Sequence, residues 1–375
     1  MAKLINYGKA YSKVVDLYCL LSKNIKRNGV FPPLQALFEL TYRCNFRCSM
    51  CQFTELFKDE RLKDSIDKEI KPSEIENVLS QLPSRVVVTL TGGEPFIRKD
   101  IHEIIDICTR KNRCHIITNG FALNEDKIKR IIPHSCRSLV SKGLLFIDFS
   151  IQGPEEIHDR VSGVKNSFGT VVDNIKILQR EKKKLKRRYP LVNIKTVITE
   201  DTVSGLHEIY KVAVDLKADV CSFLVCSSIE SNFSRLDFIK DNSGIEKIIS
   251  NPAKHSQIDI DILKTELEKI REDEKKSEIQ VRFSPQSVTY DEIVSYHEGK
   301  IDITKYRCGS PWTKLYVSAY GDIMSCFNRT VGNIREDKID DAWVHPILKN
   351  LRDRLDKQNG IFPACIGCCQ SEFRG

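Results

Sequence analysis

Between residues 36 and 225 the chain repeats one alternation, a short run rich in Val, Ile and Phe followed by a longer amphipathic stretch. The runs are 36–41, 85–90, 114–118, 144–150, 192–198 and 220–225. Most are apolar on both faces, which suits strands of a buried parallel sheet better than a half-exposed antiparallel one. Helices are predicted between them at 73–82 after Pro72, at 100–112, at 123–132 before Pro133, at 167–179 and at 203–217. Repeated βα units connect through right-handed crossovers, so the expectation is an α/β fold with a parallel sheet or barrel. Six strands fall short of the usual closed eight-fold barrel, and an open, partial barrel is the expected form.

The flanks read differently. Residues 1–35 hold one amphipathic helix, 11–25, stopped by Gly29 and Pro32-Pro33. It carries Lys13 and Lys23, with Lys26 just beyond. We read it as a cover for the barrel rim; membrane contact is the weaker alternative, because the segment lacks tryptophan and its basic face is thin. Residues 36–235 form the barrel, and 236–300 are polar and charged with one good helix at 260–276, a connecting segment. Residues 301–375 change character, with five cysteines and both tryptophans. No window is long and apolar enough to span a bilayer and the first residues are not a secretory signal, so a cytoplasmic location is the default.

Fourteen cysteines in such a chain point to metal or redox chemistry rather than a disulfide framework. Three of them, Cys44, Cys48 and Cys51, follow the first predicted strand with the spacing C-x3-C-x2-C. Three thiolates so spaced can hold three corners of a cubic iron–sulfur cluster and leave the fourth iron open. An open metal position marks a catalytic rather than a structural site. The next three strands are followed by Thr91-Gly92-Gly93-Glu94-Pro95, by Thr118-Asn119-Gly120 and by Ser150-Ile151-Gln152-Gly153. Ligands of α/β folds bind at the carboxyl ends of strands, so the four loops converge on one site. Adjacent glycines let backbone approach a ligand closely, and a fixed carboxylate beside them can take an ammonium group. Any one glycine pair alone would be an ordinary turn. Their ordered conjunction with the cysteine loop is the signal.

Over roughly residues 36–235 this set resembles the radical SAM superfamily. The resemblance implies a partial (β/α)6 barrel and a [4Fe–4S] cluster on Cys44, Cys48 and Cys51, whose fourth iron chelates S-adenosylmethionine. It further implies that Gly92, Gly93 and Glu94 receive the methionyl amino group, that Asn119 and Ser150 reach the ribose or methionyl part, and that Arg160 meets the carboxylate. The superfamily commonly has an aromatic residue before the third cysteine; here it is Met50, which shifts the expected adenine contact to Phe53 or the 222–225 edge.

The tail resembles the twitch or short SPASM extension of the same superfamily, a small α+β subdomain. It runs Cys308, Gly321…Cys326, Gly332-Asn333, then Cys365-x2-Cys368-Cys369. The resemblance implies one auxiliary [4Fe–4S] cluster on Cys308, Cys326, Cys365 and Cys368, with Cys369 as a surplus thiol able to replace Cys368. Structural zinc is the competing reading of four thiolates. Zinc ribbons present two C-x2-C knuckles, whereas Cys308 and Cys326 stand far apart, so iron–sulfur is preferred. The other cysteines (Cys19, Cys108, Cys114, Cys136, Cys221 and Cys226) read as small buried apolar residues, and the eight histidines show no ligand spacing.

The implied chemistry is a 5′-deoxyadenosyl radical that abstracts hydrogen from a C–H bond. A net two-electron oxidation of a small-molecule or sugar alcohol is expected, with the auxiliary cluster as electron acceptor and a flavodoxin- or ferredoxin-type donor as partner. Peptide maturation, forming a thioether or other crosslink, is the alternative. A fused leader-peptide-binding domain is not expected, since the stretch before the barrel is shorter than the ~40 residues at which a domain folds unaided. A non-enzymatic iron–sulfur carrier or redox sensor would have no use for Glu94, Asn119 and Arg160. Nucleic acid is disfavoured as a partner: the charge of +8 is moderate, and the basic run 181–188 reads as a solvated helix end. No catalytic base is assigned; Glu39 and Glu230 lie near strand ends, and neither is chosen.

Overall fold

The computed structural model describes residues 7–24, 30–51, 53, 66–226, 257–326 and 329–375. Strands β1 (Gln35–Glu39), β2 (Val87–Thr91), β3 (Arg113–Thr118), β4 (Gly143–Ser150), β5 (Leu191–Ile198), β6 (Val220–Val225) and β7 (Gln280–Ser284) lie side by side. Each pairs in parallel with the next. The six predicted strands are present in the predicted order, and β7 adds one more from within the segment read as a connection. Its residues, Gln-Val-Arg-Phe-Ser, alternate polar and apolar and none is fully buried. That is why it lacked the apolar run that marked the others.

The described helices are α1 (Tyr7–Asn24), α2 (Pro72–Ser80), α3 (Ile101–Lys111), α4 (Glu125–Ile131), α5 (Glu155–Ser162), α6 (Ser167–Lys184), α7 (Leu206–Asp215), α8 (Ile260–Glu274), α9 (Tyr290–His297), α10 (Ser310–Thr313), α11 (Ile339–Trp343) and α12 (Pro346–Lys357). Those between strands present apolar stripes at helical spacing, such as Ile101, Ile104, Ile105 and Cys108 of α3. The stripes close over one face of the sheet, where Ala36, Phe38, Leu90, Ile116, Ile147, Phe149, Ile194 and Phe223 form the main core. Strand side chains alternate between faces, so the neighbours of these residues, including Glu39, His115, Asp148, Lys195 and Ser222, line the interior of the barrel. Helix α6 runs on to Lys184 and absorbs part of the basic run. Lys182 is buried there, with its Nζ 4.0 Å from Asp219, so that lysine departs from the solvated reading.

The tail is built onto the same sheet. Strand β9 (Lys314–Val317) pairs in parallel with β1 on the side away from β2. Strands β10 (Asp322–Ser325) and β11 (Arg329–Asn333) extend it antiparallel. A separate ribbon joins β8 (Tyr306–Arg307) to β12 (Glu372–Phe373). Helix α1 packs on this tail through Val15, whose Cγ1 lies 2.6 Å from where a Cβ on Gly309 would be, and through an Asp16–Arg374 ion pair. Its outer face leaves Val14, Leu17, Leu20 and Leu21 exposed. Among the described residues no helix is long and apolar enough to cross a membrane.

Candidate active site

The cysteine loop leaves the carboxyl end of β1 and is clamped by the loop after β2. Gly93 N donates to Thr41 O at 2.7 Å and Glu94 N to Arg43 O at 2.9 Å. A Cβ on Gly92 would lie 2.4 Å from Thr41 O, at a φ of +127°, and one on Gly93 would lie 2.1 Å from Arg43 O. The glycine pair therefore lets two strand-end loops touch backbone to backbone; the close approach is first of all to the chain itself. Below the loop, buried Glu69 accepts from Thr41 Oγ1 and, at 3.0 and 2.9 Å, from Arg43 Nε and Nη2. Arg98 donates to the Leu40 and Ile70 carbonyls. Sequence reasoning did not single out these braces, which come from distant positions and carry no motif.

Glu94 is held by the chain itself. Its carboxylate is fully enclosed and accepts from Phe96 N, Thr118 Oγ1 and Asn119 N at 2.9, 2.7 and 2.7 Å. It thus ties the β2 loop to the β3 loop, and burial raises its pKa. Asn119 stands one step further out: its Nδ2 donates to Asn45 Oδ1 at 2.8 Å and reaches Cys44 Sγ at 3.6 Å. Helix α5 closes the other side, with Arg47 N on Ser162 O at 2.8 Å and Ser49 N on Val161 O at 3.3 Å. Arg160, on the same helix, is exposed and donates to Asp201 O at 3.4 Å. Ser150 ends β4 beside Lys195 of β5. Phe53 is buried and stacks on Tyr42 with ring centroids 5.6 Å apart. Glu39 is buried at the end of β1, and Glu230 lies outside the described residues.

The thiols themselves are hard to ionise alone. Burial pushes Cys44 up to about 11 and Cys48 up to about 12; Glu94 and Cys51 add to the first, Cys51 and Cys44 to the second. The tail brings Cys308, Cys326, Cys365, Cys368 and Cys369 within electrostatic reach of one another. Burial pushes Cys365 up to about 12 and also raises Cys308 well above its ordinary value. Cys368 and Cys369 hydrogen-bond to each other, with Cys368 held protonated and Cys369 shifted toward the thiolate. Both sets are free thiols, as are all fourteen cysteines. Of the remaining six, Cys108, Cys114, Cys136 and Cys221 are buried as expected, while Cys19 and Cys226 are half-buried.

Both donor sets fit a thiolate-held iron–sulfur cluster. Soft sulfur ligands select such clusters, and metal binding displaces the protons that burial otherwise retains. Among the described residues no three His, Cys, Asp or Glu side chains close on a single-ion site.

Between the two sets, the barrel interior carries a polar layer that the sequence reading missed. Asp148 Oδ2 lies 3.0 Å from both His115 Nε2 and Lys195 Nζ. Asp148 Oδ1 accepts from Asn193 Nδ2 at 3.0 Å, and Asn193 Oδ1 accepts from Ser222 Oγ at 2.8 Å. Burial alone would raise the Asp148 carboxyl, but His115 and Lys195 outweigh it and hold it well below the usual carboxylate range. The layer spans β3 to β6 one side-chain step below Ser150, about 7 Å along the strand. A lone charge inside an apolar strand, as in Phe-Ile-Asp148-Phe or Asn-Ile-Lys195-Thr, was the signal that could have revealed it.

Comparison with known families agrees with this geometry. The model of the Radical SAM superfamily matches residues 38–206, and that of an iron-sulfur cluster-binding domain, SPASM, matches 308–369. The chain thus joins a radical SAM domain to a SPASM-type tail, domains built around S-adenosylmethionine on a [4Fe–4S] cluster and auxiliary iron–sulfur centres. It is 24% identical over 329 residues to the antilisterial bacteriocin subtilosin biosynthesis protein AlbA of Bacillus subtilis (strain 168). That match takes in 86% of this chain and 62% of AlbA, so the chain spans under two thirds of that relative. Streptococcus suis SuiB bound to precursor peptide SuiA shares the fold, with a TM-score of 0.61 at 16% identity over 92% of this chain and 70% of SuiB. Native anSMEcpe with bound AdoMet follows at 0.54 and 16%, over 85% of this chain and 82% of that one.

Proposed function

We propose that this enzyme modifies a peptide, removing hydrogen from a C–H bond and two electrons in all, to form a thioether or another crosslink. One observation carries the reading: both thiol sets are fixed to one sheet. Strand β1 leads into Cys44–x3–Cys48–x2–Cys51, and its parallel neighbour β9 lies between Cys308 and Cys326. A substrate in the barrel interior thus has thiols at both sides. The peptide class is supported by what the relatives act on or hold, subtilosin for AlbA and a precursor peptide for SuiB.

In this reading Cys44, Cys48 and Cys51 hold the cluster that binds S-adenosylmethionine. Cys308, Cys326, Cys365 and either Cys368 or Cys369 hold the auxiliary one. When bound, the first cluster and its cofactor supply a 5′-deoxyadenosyl radical as hydrogen abstractor. The chain's own residues do the positioning. The backbone of Gly92 and Gly93 fixes the cysteine loop, Glu94 fixes the Asn119 loop, and Asn119 orients Cys44. In the same reading Gly92, Gly93 and Glu94 receive the methionyl amino group, Asn119 and Ser150 reach the ribose or methionyl part, and Arg160 meets the carboxylate. Lys195 and His115 offer donors on the interior wall for a carbonyl or carboxylate of the substrate. A flavodoxin- or ferredoxin-type protein is the proposed electron donor.

The test is turnover. Reconstituted, reduced protein is incubated with S-adenosylmethionine and small peptides encoded beside its gene. Release of 5′-deoxyadenosine with a peptide product two hydrogens lighter is the expected result. Untouched peptides, together with oxidation of a sugar alcohol, would replace this reading with the small-molecule one.

A further inference from the structure

Two lysines act on the tail thiols: Lys314, which has no part in the proposed function, and Lys195, which so far serves only as a donor on the interior wall. Lys314 opens β9, and its Nζ donates to Gln370 Oε1. The same Gln370 side chain donates from Nε2 to Cys369 Sγ at 3.3 Å. Lys314 is half-buried, and among the described residues no carboxylate pairs with it. An ammonium drawn out of water and held by a neutral amide has lost hydration that an anion would normally return. Its charge acts on Cys308, Cys326 and Cys369 together, sulfurs that become anionic once they hold a metal.

Lys195 approaches from the barrel side. Its Nζ is held 3.0 Å from Asp148 Oδ2, and its charge and that of Cys369 act on each other. At the first set the Glu94 carboxyl acts on Cys44, and Arg47 Nη1 donates to the Cys44 carbonyl at 2.6 Å. A cube with four thiolate ligands is an anion and becomes more negative on reduction. Nearby positive charge and hydrogen bonds to sulfur therefore raise its potential.

We propose that Lys314, oriented by Gln370, is the principal counter-charge of the auxiliary cluster, and that Lys195, oriented by Asp148, is a secondary one. Together they raise its reduction potential above what the thiolate ligands alone would set. The proposal rests on the reading of the tail as an iron–sulfur electron acceptor. Both lysines are positioning residues that act through the cluster and do not touch the reacting carbon. Lys195 is the weaker of the two because Asp148 cancels most of its charge at a distance. The arrangement also gives Cys369 a use: with Gln370 and Lys314 aimed at it, the surplus thiol is the better candidate for last ligand than Cys368.

The experiment is a potentiometric titration of the holoprotein, followed by electron paramagnetic resonance, which needs neither substrate nor turnover. Lys314→Met is expected to lower the auxiliary midpoint while leaving the other cluster's midpoint in place, and Lys314→Arg to restore it. The Lys195→Met/Asp148→Asn pair, which removes no net charge, is expected to shift it less. Loss of the auxiliary irons in Lys314→Met but not in Lys314→Arg would equally support a counter-charge. Unchanged midpoints at full iron content, or an arginine variant no better than the methionine one, would overturn it. Failure of the underlying reading looks different: wild-type protein would then show no second cluster signal.

Discussion

The two sets of thiols are held by different means. Around Cys44, Cys48 and Cys51 a glycine pair meets loop backbone, an Asn119 amide reaches sulfur and α5 supplies a helix end, while Arg43 and Arg47 of the loop bond Glu69 and loop carbonyls. The carboxyl acting on Cys44 is that of Glu94, whose own pKa burial raises. Around the tail set, two lysines add positive charge. Negative surroundings depress a cluster potential and positive ones raise it. The positive charge at the tail set therefore suits the electron-accepting role proposed for it.

The largest expected effects separate the sets outright. Wild-type protein should hold about eight irons, and Cys48→Ala and Cys308→Ala about four each. Cys48→Ala should abolish 5′-deoxyadenosine release altogether, while Cys308→Ala keeps it and loses peptide product. Equal loss of 5′-deoxyadenosine in both variants would break the division of labour, and four irons with bound zinc in the wild type would remove the second centre.

Next comes the clamp. Gly93→Ala places a Cβ within 2.1 Å of Arg43 O, where backbone on both sides must shift. A cost of about 4 kcal/mol is expected, at the upper end for point substitutions. Thermal unfolding checks the cost, and iron counts check the location: the first set should lose metal while the tail keeps it. A variant that melts like wild type would show that the loop contact is not what holds the first set.

How much of this was legible follows from how local each feature is. Strands β1 to β6 announced themselves because both of their faces are covered, which leaves continuous apolar runs. Strand β7 did not, since its inward Gln280, Arg282 and Ser284 make it look like charged linker. The cysteine and glycine loops were readable from spacing alone, but the partners of Glu94 were not. Thr118 and the Asn119 amide meet it only because β2 and β3 are neighbours. The tail looked like a separate subdomain in sequence because nothing in Lys314-Leu-Tyr-Val317 shows that it will pair with β1.

Acid should also part the two regions. Burial pushes His158, beneath the first set, down to about 4, so it is neutral in the folded protein while an exposed histidine takes a proton near 6.5. The unfolded state then binds more protons between those values, and stability falls as pH drops from about 6.5 to about 4. The loss is roughly 3 kcal/mol for this one group. Asp148 behaves differently: its depressed carboxyl contributes fully above about pH 4, and that contribution is lost as pH falls further. His158→Gln should flatten the upper limb and Asp148→Asn the lower. His102, also pushed down to about 4 by burial, shares the upper limb, so the difference between variant and wild type is the quantity to read. If Asp148→Asn altered the upper limb instead, the interior layer and the first set would be one coupled unit.

The smallest expected effect probes the far end of the interior layer. Ser222 Oγ donates to Asn193 Oδ1 at 2.8 Å, and Asn193 in turn donates to Asp148 Oδ1. Ser222→Ala removes one neutral hydrogen bond and leaves a buried acceptor, at a cost of about 1 kcal/mol. Asp148 keeps His115 and Lys195 in that variant, so its acid limb should stay where it is. A double-mutant cycle with Asp148→Asn measures whether the chain of bonds acts as a unit, because contacting residues couple whereas independent ones add. Near-zero coupling would make Ser222 a local packing detail of β6. A clear coupling energy would extend the charged layer across four strands and strengthen the contrast with the uncharged clamp above it.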